Sequence, residues 1–355
     1  MGITHRWRKE ADWRLQGSRD LDSSKLQAPG VVATPSGGFR LFYTAVGPAK
    51  PYRTCQGYIL SAVSDDGLVF HTEPGVRLAP QPAFPHMCLR VIGPTVSQCA
   101  DGRWRMYFES RGSADQPTVI CSAVSSDMFN WQHEAGIRLQ RLGGVGGPRY
   151  VPLPDGCGRL YCFASEFSSG NPHSAQRLFS QSVVSAITSD GLNFEFEPGY
   201  RMRDKQAEYD TAGITAAEVI PPLAAGDNWT MFFSAWQDVV PGTVVPVHPS
   251  QDANAVANGR SDDFAAASIA SDMAGYRSRI FAAYSTDGLV WDRVGCVIDG
   301  RGYGGQGLDA VHAEDMSLIK IGTGKYRMYY AACDKDGNWR IASAVTEDAA
   351  VSSRL

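Results

Sequence analysis

The stretch Ser64–Leu78, SDDGLVFHTEPGVRL, decides the fold because it recurs along the chain. Its Asp-Gly pair supplies the positive φ that a tight hairpin turn needs, and the aromatic residue that follows suits a half-buried strand. Further copies begin at Ser125, Thr188 and Ser285. So many matched positions in one register indicate an internal structural repeat. The aromatic anchors of the four copies are Phe70, Trp131, Phe194 and Trp291.

A second pattern precedes each copy of this stretch. An inner strand, a turn and an aromatic-rich strand are predicted over 31–44, 96–109, 150–164, 219–234 and 318–331, each followed by a third strand. Five antiparallel units of four strands result, which is the pattern of an all-β, five-bladed β-propeller. The fifth unit lacks a fourth strand, and Trp7–Leu15 parallels Trp131–Leu139. We therefore expect the N-terminal strand to complete this unit and close the ring.

The repeat predicts a single domain over residues 1–355 with one interruption. Residues 237–275 are rich in Pro, Ala, Ser, Asn and Asp and show little alternation of polar and apolar residues. A loop this long in a compact domain is usually a lid or disordered. We expect this insertion in the fourth blade, which carries His248, Asp252, Asp262 and Asp263, to cover the pocket.

Composition limits the function classes. The 355 residues carry 33 basic and 37 acidic side chains, a net charge of −4, which gives no basic footprint for nucleic acid or membrane. The N-terminal residues lack the apolar core of a secretory signal. Eight cysteines without metal-ligand spacing indicate free thiols and a cytoplasmic location. No metal or cofactor is predicted, the expected partner is a small molecule or a glycoside, and the oligomeric state is left open.

The inner strands point to a candidate site. In a propeller these strands surround a central channel, so the residues at their starts line its mouth. Alternate residues of a strand share a face, so the first and third residues of each aligned triplet face the same way. The triplets are Ala28-Pro29-Gly30, Gly93-Pro94-Thr95, Gly147-Pro148-Arg149, Ala216-Ala217-Glu218 and Asp315-Met316-Ser317.

A mixed acid–base group of this kind can transfer protons and stabilise developing charge. The predicted catalytic residues are Glu218, Asp315 and His312. The predicted substrate-binding residues are Arg149, Arg90, Lys25, His86 and Glu314. Structural alternatives stand beside these roles: a salt bridge between Arg149 and Glu218, a backbone contact for His312, and solvated rim positions for Lys25 and Arg90. Glu109 and the repeat's acids and arginines are expected to be structural.

The five-unit layout and the inner-strand prolines resemble the five-bladed propeller glycoside hydrolases, chiefly family 43 and its relatives in families 32, 62, 68 and 130. The resemblance implies a general base beside Pro29, an orienting aspartate beside Pro94 and a general acid beside Pro148. Ala28, Gly93, and Gly146 or Gly147 occupy those positions. The family's catalytic acids are therefore predicted to be replaced.

Three functions follow as hypotheses. The first is a small-molecule enzyme that uses acid–base chemistry for cyclisation, addition–elimination or isomerisation, for example in secondary metabolism. The second is a glycoside hydrolase with relocated carboxylates, Glu218 together with Asp315 or Glu314, because glycoside hydrolysis ordinarily needs two carboxyl groups. The third is a propeller that binds a carbohydrate or another ligand without catalysis. We expect an enzyme, and the sequence does not specify its substrate.

Overall fold

The computed structural model describes residues 6–23, 25–46, 56–112, 116–167, 179–224, 226–238, 242–243 and 276–347. These residues form strands and two short 3-10 turns, Pro85–Met87 and Glu208–Asp210, and no α-helix. The all-β prediction is therefore confirmed for the described residues. None of their segments is a helix long and apolar enough to cross a membrane. Of the predicted insertion 237–275, Gln237 and Asp238 end a strand, and almost all of the rest lies outside the described residues.

The strands in chain order are β1 (Trp7–Lys9), β2 (Leu15–Gln16), β3 (Lys25–Ala33), β4 (Phe39–Val46), β5 (Gly57–Ser64), β6 (His71–Thr72), β7 (Arg90–Gln98), β8 (Trp104–Arg111), β9 (Val119–Ser125), β10 (Gln132–His133), β11 (Val145–Pro152), β12 (Gly158–Phe167), β13 (Phe179–Thr188), β14 (Glu195–Phe196), β15 (Gly213–Ile220), β16 (Trp229–Asp238), β17 (Tyr276–Ser285), β18 (Asp292–Ile298), β19 (His312–Gly322), β20 (Lys325–Cys333) and β21 (Trp339–Thr346).

Antiparallel pairing groups the strands into consecutive units. The first three strands of the units are β3-β4-β5, β7-β8-β9, β11-β12-β13, β15-β16-β17 and β19-β20-β21. The strands β6, β10, β14 and β18 add a fourth member to the first four units. In the last unit, β1 and β2 pair with β21 instead. The N-terminal strands thus pair with the last strand of the described chain, as the sequence predicted.

The inner strands are neighbours of one another. Strand β3 packs against β7 and β19, β11 packs against β7 and β15, and β15 packs against β19. Two parallel bridges, Gly57 to Arg90 and Ser278 to His312, link adjacent units through their hydrogen bonds. The five strand starts are therefore brought to one place, where the candidate site lies.

Aromatic pairs join each unit to the next. A ring on the second strand of one unit meets the anchor of the following unit edge-on, with centroids 5.4–6.2 Å apart and interplanar angles of 80–90°. Edge-to-face pairs of this geometry add stability beyond the area that they bury. The pairs are Phe42–Trp131, Tyr107–Phe194, Tyr161–Trp291, Phe232–Trp7 and Tyr329–Phe70.

The acidic residue of the repeat has a constant structural role. Glu134 forms an ion pair with Arg105 at 2.9 Å and accepts a hydrogen bond from Ser122 at 2.7 Å. Glu73, Glu197 and Glu10 repeat this contact with an arginine and a serine of their own units. Glu10 therefore matches the repeat in its contacts as well as in the sequence.

Trp7 is expected to contribute to the closure of the last unit. We expect Trp7→Ala to lower the free energy of unfolding by about 2–4 kcal/mol, because the substitution removes a large ring from its contact with buried Phe232. Urea denaturation followed by tryptophan fluorescence measures the loss. Trp13→Ala is the matched control, since 45% of the Trp13 side chain is exposed, and it should cost less than about 1 kcal/mol. Equal losses in both variants would contradict the packing role of Trp7.

Candidate functional site

A β-bulge interrupts each inner strand at the predicted triplet. The register shifts lie between Gln27 and Gly30, Ile92 and Thr95, Gly146 and Arg149, Thr215 and Ala217, and Glu314 and Ser317. Bulges redirect side chains and often occur next to active sites. The triplet alignment made from the sequence therefore agrees with the structure. Four bulges contain a residue with positive φ, namely Ala28 (47°), Gly93 (62°), Gly147 (57°) and Asp315 (52°).

Asp315 is the one carboxylate among these four bulge residues. Its positive φ is costly for a residue with a side chain, although aspartate and asparagine tolerate it best. The backbone N–H of Asp315 donates to Ser234 Oγ at 2.9 Å, and its carboxylate accepts no hydrogen bond from a described residue. Burial raises the pKa of Asp315, while Arg149 and Lys25 act in the opposite direction. Asp315 is therefore a carboxylate at the bulge that no described side chain or backbone N–H engages by a hydrogen bond.

Arg149 and Glu218 form a fixed pair beside Asp315. Arg149 Nε lies 3.0 Å from Glu218 Oε2, and the guanidinium also donates to the carbonyls of Pro148 and Met316 at 2.8 and 3.1 Å. Glu218 Oε1 accepts the backbone N–H of Leu318 at 3.1 Å. Burial raises the pKa of Glu218 and the positive charge of Arg149 opposes this shift. The salt bridge considered from the sequence is thus present between two units, and the backbone contacts of its two residues with β19 add a third.

Glu109, which the sequence analysis expected to be structural, also lies at the candidate site. It is buried at the end of β8, and its Oε2 accepts the backbone N–H of Gly147 at 3.1 Å. A Cβ on Gly146 would overlap the same carboxylate, so a glycine is needed there. Burial raises the pKa of Glu109 to about 7, Arg111 lowers it, and Asp315 adds to the increase. Glu109, Arg149, Glu218 and Asp315 are called the central cluster below.

Lys25 and His312 lie in the protein interior. Only 3% of Lys25 is exposed, and its Nζ lies 4.1 Å from the centroid of the Trp339 ring. The His312 ring stacks on Trp339 with centroids 5.4 Å apart, and it also contacts Trp236. The interpretation of Lys25 as a solvated rim charge was therefore wrong. His312 lies behind the predicted mouth, where it contacts side chains and not a backbone group alone.

The other predicted site residues differ in how deeply they are buried. Arg90 begins β7 and is 2% exposed, so the rim interpretation was wrong for this residue too. Glu314 is buried next to Asp315, and its Oε2 accepts a hydrogen bond from Ser278 Oγ at 2.9 Å. His86 is half-buried in the 3-10 turn before β7, where its ring packs against Phe84. The described residues contain no group of three or more His, Cys, Asp or Glu side chains suited to a metal ion.

The pH dependence of stability should report on Glu109. Because its pKa in the folded protein is raised from 4.5 to about 7, its contribution to stability is complete below about pH 4.5 and is lost as the pH rises through 7. Between pH 5 and pH 8, Glu109→Gln should therefore gain about 2–3 kcal/mol in unfolding free energy relative to the wild type. Urea denaturation at both pH values measures this gain. The exposed control Glu195→Gln should show no such gain, and the same gain in both variants would contradict the assignment.

Solved structures with the same fold cover almost the whole chain. A glycoside hydrolase is 14% identical, with 99% of this chain and 94% of that chain covered and a TM-score of 0.69. The β-1,2-mannobiose phosphorylase from Listeria innocua, in complex with β-1,2-mannobiose, is 13% identical, with 92% of each chain covered and a TM-score of 0.63. A thermostable family-43 glycoside hydrolase is 13% identical, with 90% and 88% covered and a TM-score of 0.58.

These likenesses confirm the predicted resemblance to propeller glycoside hydrolases at the level of the fold. At such low identities they transfer no activity to this chain. No protein-family model and no curated protein matches the sequence. The function must therefore be argued from the side chains of the site.

Proposed function

We propose that this chain is a carbohydrate-active enzyme that cleaves or transfers a glycosidic bond with relocated carboxylates. The observation that carries the proposal is the central cluster, in which Arg149 pairs with Glu218 of β15 and acts on Asp315 of β19, and Asp315 in turn acts on Glu109 of β8. Glycoside chemistry ordinarily needs a pair of carboxyl groups in different protonation states. The fold shared with glycoside hydrolases and a phosphorylase supports a glycoside as the ligand.

The cluster suggests a division of roles. Glu109 is protonated below about pH 7, so it can act as the general acid that protonates the leaving oxygen. The Asp315 carboxylate accepts no hydrogen bond within the described part of the chain, and it can act as the base or the nucleophile. Both Glu218 oxygens are already engaged, so Glu218 orients Arg149 and does not itself transfer a proton. This proposal moves the catalytic role predicted for Glu218 to Glu109.

The remaining predicted residues take supporting roles in this proposal. Arg149 and Lys25 both favour the ionised form of Asp315. Arg90 likewise opposes the rise in the pKa of Glu109. His312 lies too deep for contact with a substrate, since it is enclosed between Trp236 and Trp339. His86 remains a candidate for substrate contact on the loop before β7.

We further propose that the five units form one five-bladed propeller closed by the N-terminal strand. The pairing of β1 with β21 supports this arrangement, as does the packing of β19 against β3. The aromatic pairs support it as well, because Tyr329 of the last unit meets Phe70 of the first as Tyr107 meets Phe194. The units then make one domain around a common channel.

Binding without catalysis is the second candidate. Arg149 and Glu218 neutralise each other, and Ala28, Gly93 and Gly147 provide no carboxylate at the other bulges. These features favour a site that holds a sugar without cleaving it. The cyclisation, addition–elimination and isomerisation chemistry predicted first from the sequence would use the same side chains. This chemistry stays a prediction.

A substrate screen separates these functions. The full chain is incubated with aryl glycosides and with disaccharides, each with and without inorganic phosphate, and released sugar is measured. Turnover that falls in both Asp315→Asn and Glu109→Gln supports the proposed enzyme. Sugar binding in calorimetry without turnover supports the binding protein. Turnover that is unchanged in both variants, or neither turnover nor binding with any sugar, would overturn the proposal.

A further inference from the structure

Three buried polar side chains form a chain directly behind Asp315. Ser278 Oγ lies 2.9 Å from Glu314 Oε2 and 2.9 Å from His312 Nδ1. Ser278 and Glu314 are almost fully buried, and His312 is fully buried. Glu314 is adjacent in sequence to Asp315, at the same bulge. The Ser278 hydroxyl thus connects a carboxyl group at the site to an imidazole in the interior.

The single hydrogen of the Ser278 hydroxyl allows two arrangements. When Glu314 is protonated, it donates to Ser278 Oγ, the hydroxyl donates to His312 Nδ1, and the neutral imidazole carries its hydrogen on Nε2. When Glu314 is ionised, the hydroxyl donates to Glu314, and His312 must donate from Nδ1 to Ser278 Oγ. The hydrogen bonds therefore couple the charge of Glu314 to the tautomer of His312.

Each proton that moves in this exchange can be traced. In passing from the first arrangement to the second, the Glu314 proton moves to Ser278 Oγ and the hydroxyl proton moves to His312 Nδ1. The Nε2 proton leaves the imidazole and passes to water, so one proton is released to the solvent overall. A neutral imidazole is retained throughout, since burial and the Lys25 charge both lower the pKa of His312.

The surroundings make the charge of Glu314 sensitive to the site. Burial raises the pKa of Glu314, and Asp315 raises it further, whereas Lys25 lowers it. Ionisation of Asp315 therefore favours protonation of Glu314. The titratable and charged groups that act on Glu314, Lys25 or Asp315 from the surrounding strands are Lys25 (β3), Arg90 (β7), Glu109 (β8), Arg149 (β11), Asp315 (β19) and Cys333 (β20).

We propose that Glu314, Ser278 and His312 form a proton relay whose state follows the charge of Asp315. The three residues are positioning residues, because none of them needs to touch a substrate. Their use in catalysis rests on the proposed function: as Asp315 gains or loses a proton, the relay shifts in the opposite sense and keeps the net charge of the site constant. The relay itself exists without a substrate.

The test follows the His312 tautomer by ¹⁵N NMR of the histidine-labelled full chain between pH 5 and pH 10. The His312 signals are assigned by their loss in His312→Gln. We expect the Nδ1 resonance to change from an unprotonated to a protonated nitrogen as the pH rises. The change should vanish in Ser278→Ala, which removes the hydroxyl, and in Glu314→Gln, which removes the titrating group. It should persist in Ser278→Thr, which keeps the hydroxyl.

Two outcomes would overturn the relay. One is a His312 tautomer that stays constant over this pH range in the wild type. The other is the same change in Ser278→Ala as in the wild type. Thermal unfolding of each variant shows whether it is folded, and if Ser278→Ala is not folded, an unaltered change in Glu314→Gln would overturn the relay in its place. Because no substrate is used, a failure of the relay is distinct from a failure of the proposed enzyme.

Discussion

Asp315→Asn should lower kcat/KM for the substrate identified in the screen by about 10²–10⁴-fold, the range expected for loss of a general acid or base. Asparagine has the same shape as aspartate but cannot accept a proton or attack as a carboxylate. It also tolerates the positive φ of this bulge, so the fold should be preserved. Initial rates over a range of substrate concentrations measure the loss, and a fall in kcat with little change in KM is expected.

The control for this substitution is another aspartate on a strand. Asp292 is exposed on β18 and belongs to no described ion pair, so Asp292→Asn should retain wild-type rates. Thermal unfolding should give both variants melting temperatures close to that of the wild type. A rate for Asp315→Asn within a factor of about three of the wild type would remove Asp315 from the catalytic role.

Arg149→Met should lower the free energy of unfolding by about 3–5 kcal/mol, the cost expected when one partner of a buried ion pair is removed. The change leaves the Glu218 carboxylate without its partner and leaves the Met316 carbonyl without its donor. Urea denaturation at pH 7 measures the loss. Adding Glu218→Gln to this variant should recover part of the stability, because the unpaired charge is then absent.

The control for Arg149→Met is a substitution in a solvent-exposed ion pair. Arg103 pairs with Asp101 at 2.8 Å, and about half of each side chain is exposed. Exposed pairs contribute little, so Arg103→Met should cost less than about 1 kcal/mol. Similar losses for Arg149→Met and Arg103→Met would show that the central cluster is not a stabilising network.

The sequence was informative wherever the structure repeats. The register of the repeat identified Trp7 and Glu10 as members of the last unit, and both make the contacts of their counterparts. The same register aligned the inner-strand triplets, which coincide with the bulges. A pattern with a fixed period constrains pairing strongly, because a slip by one residue would turn every side chain to the wrong face.

The sequence was less informative about how deeply a side chain is buried and about the contacts between units. The structural alternative considered for Lys25 and Arg90 was a solvated position at the rim of the channel. An isolated basic residue in a sequence gives no sign of the partners that accompany its burial. Glu109 was interpreted as structural because it lies near the end of a second strand, and it reaches the site through the backbone of Gly147 in the next unit. Such contacts depend on how the units pack, which no pattern within one unit records.

The bulges also bear on how this site could change during evolution. Ala28, Gly93, Gly147 and Asp315 share nearly the same backbone φ at corresponding points of four strands. A carboxylate can therefore be lost from one strand and gained on another by single substitutions, with no remodelling of the main chain. The inner strands offer several equivalent backbone positions for an acidic residue. The strand that carries the acid is therefore a poor guide to ancestry.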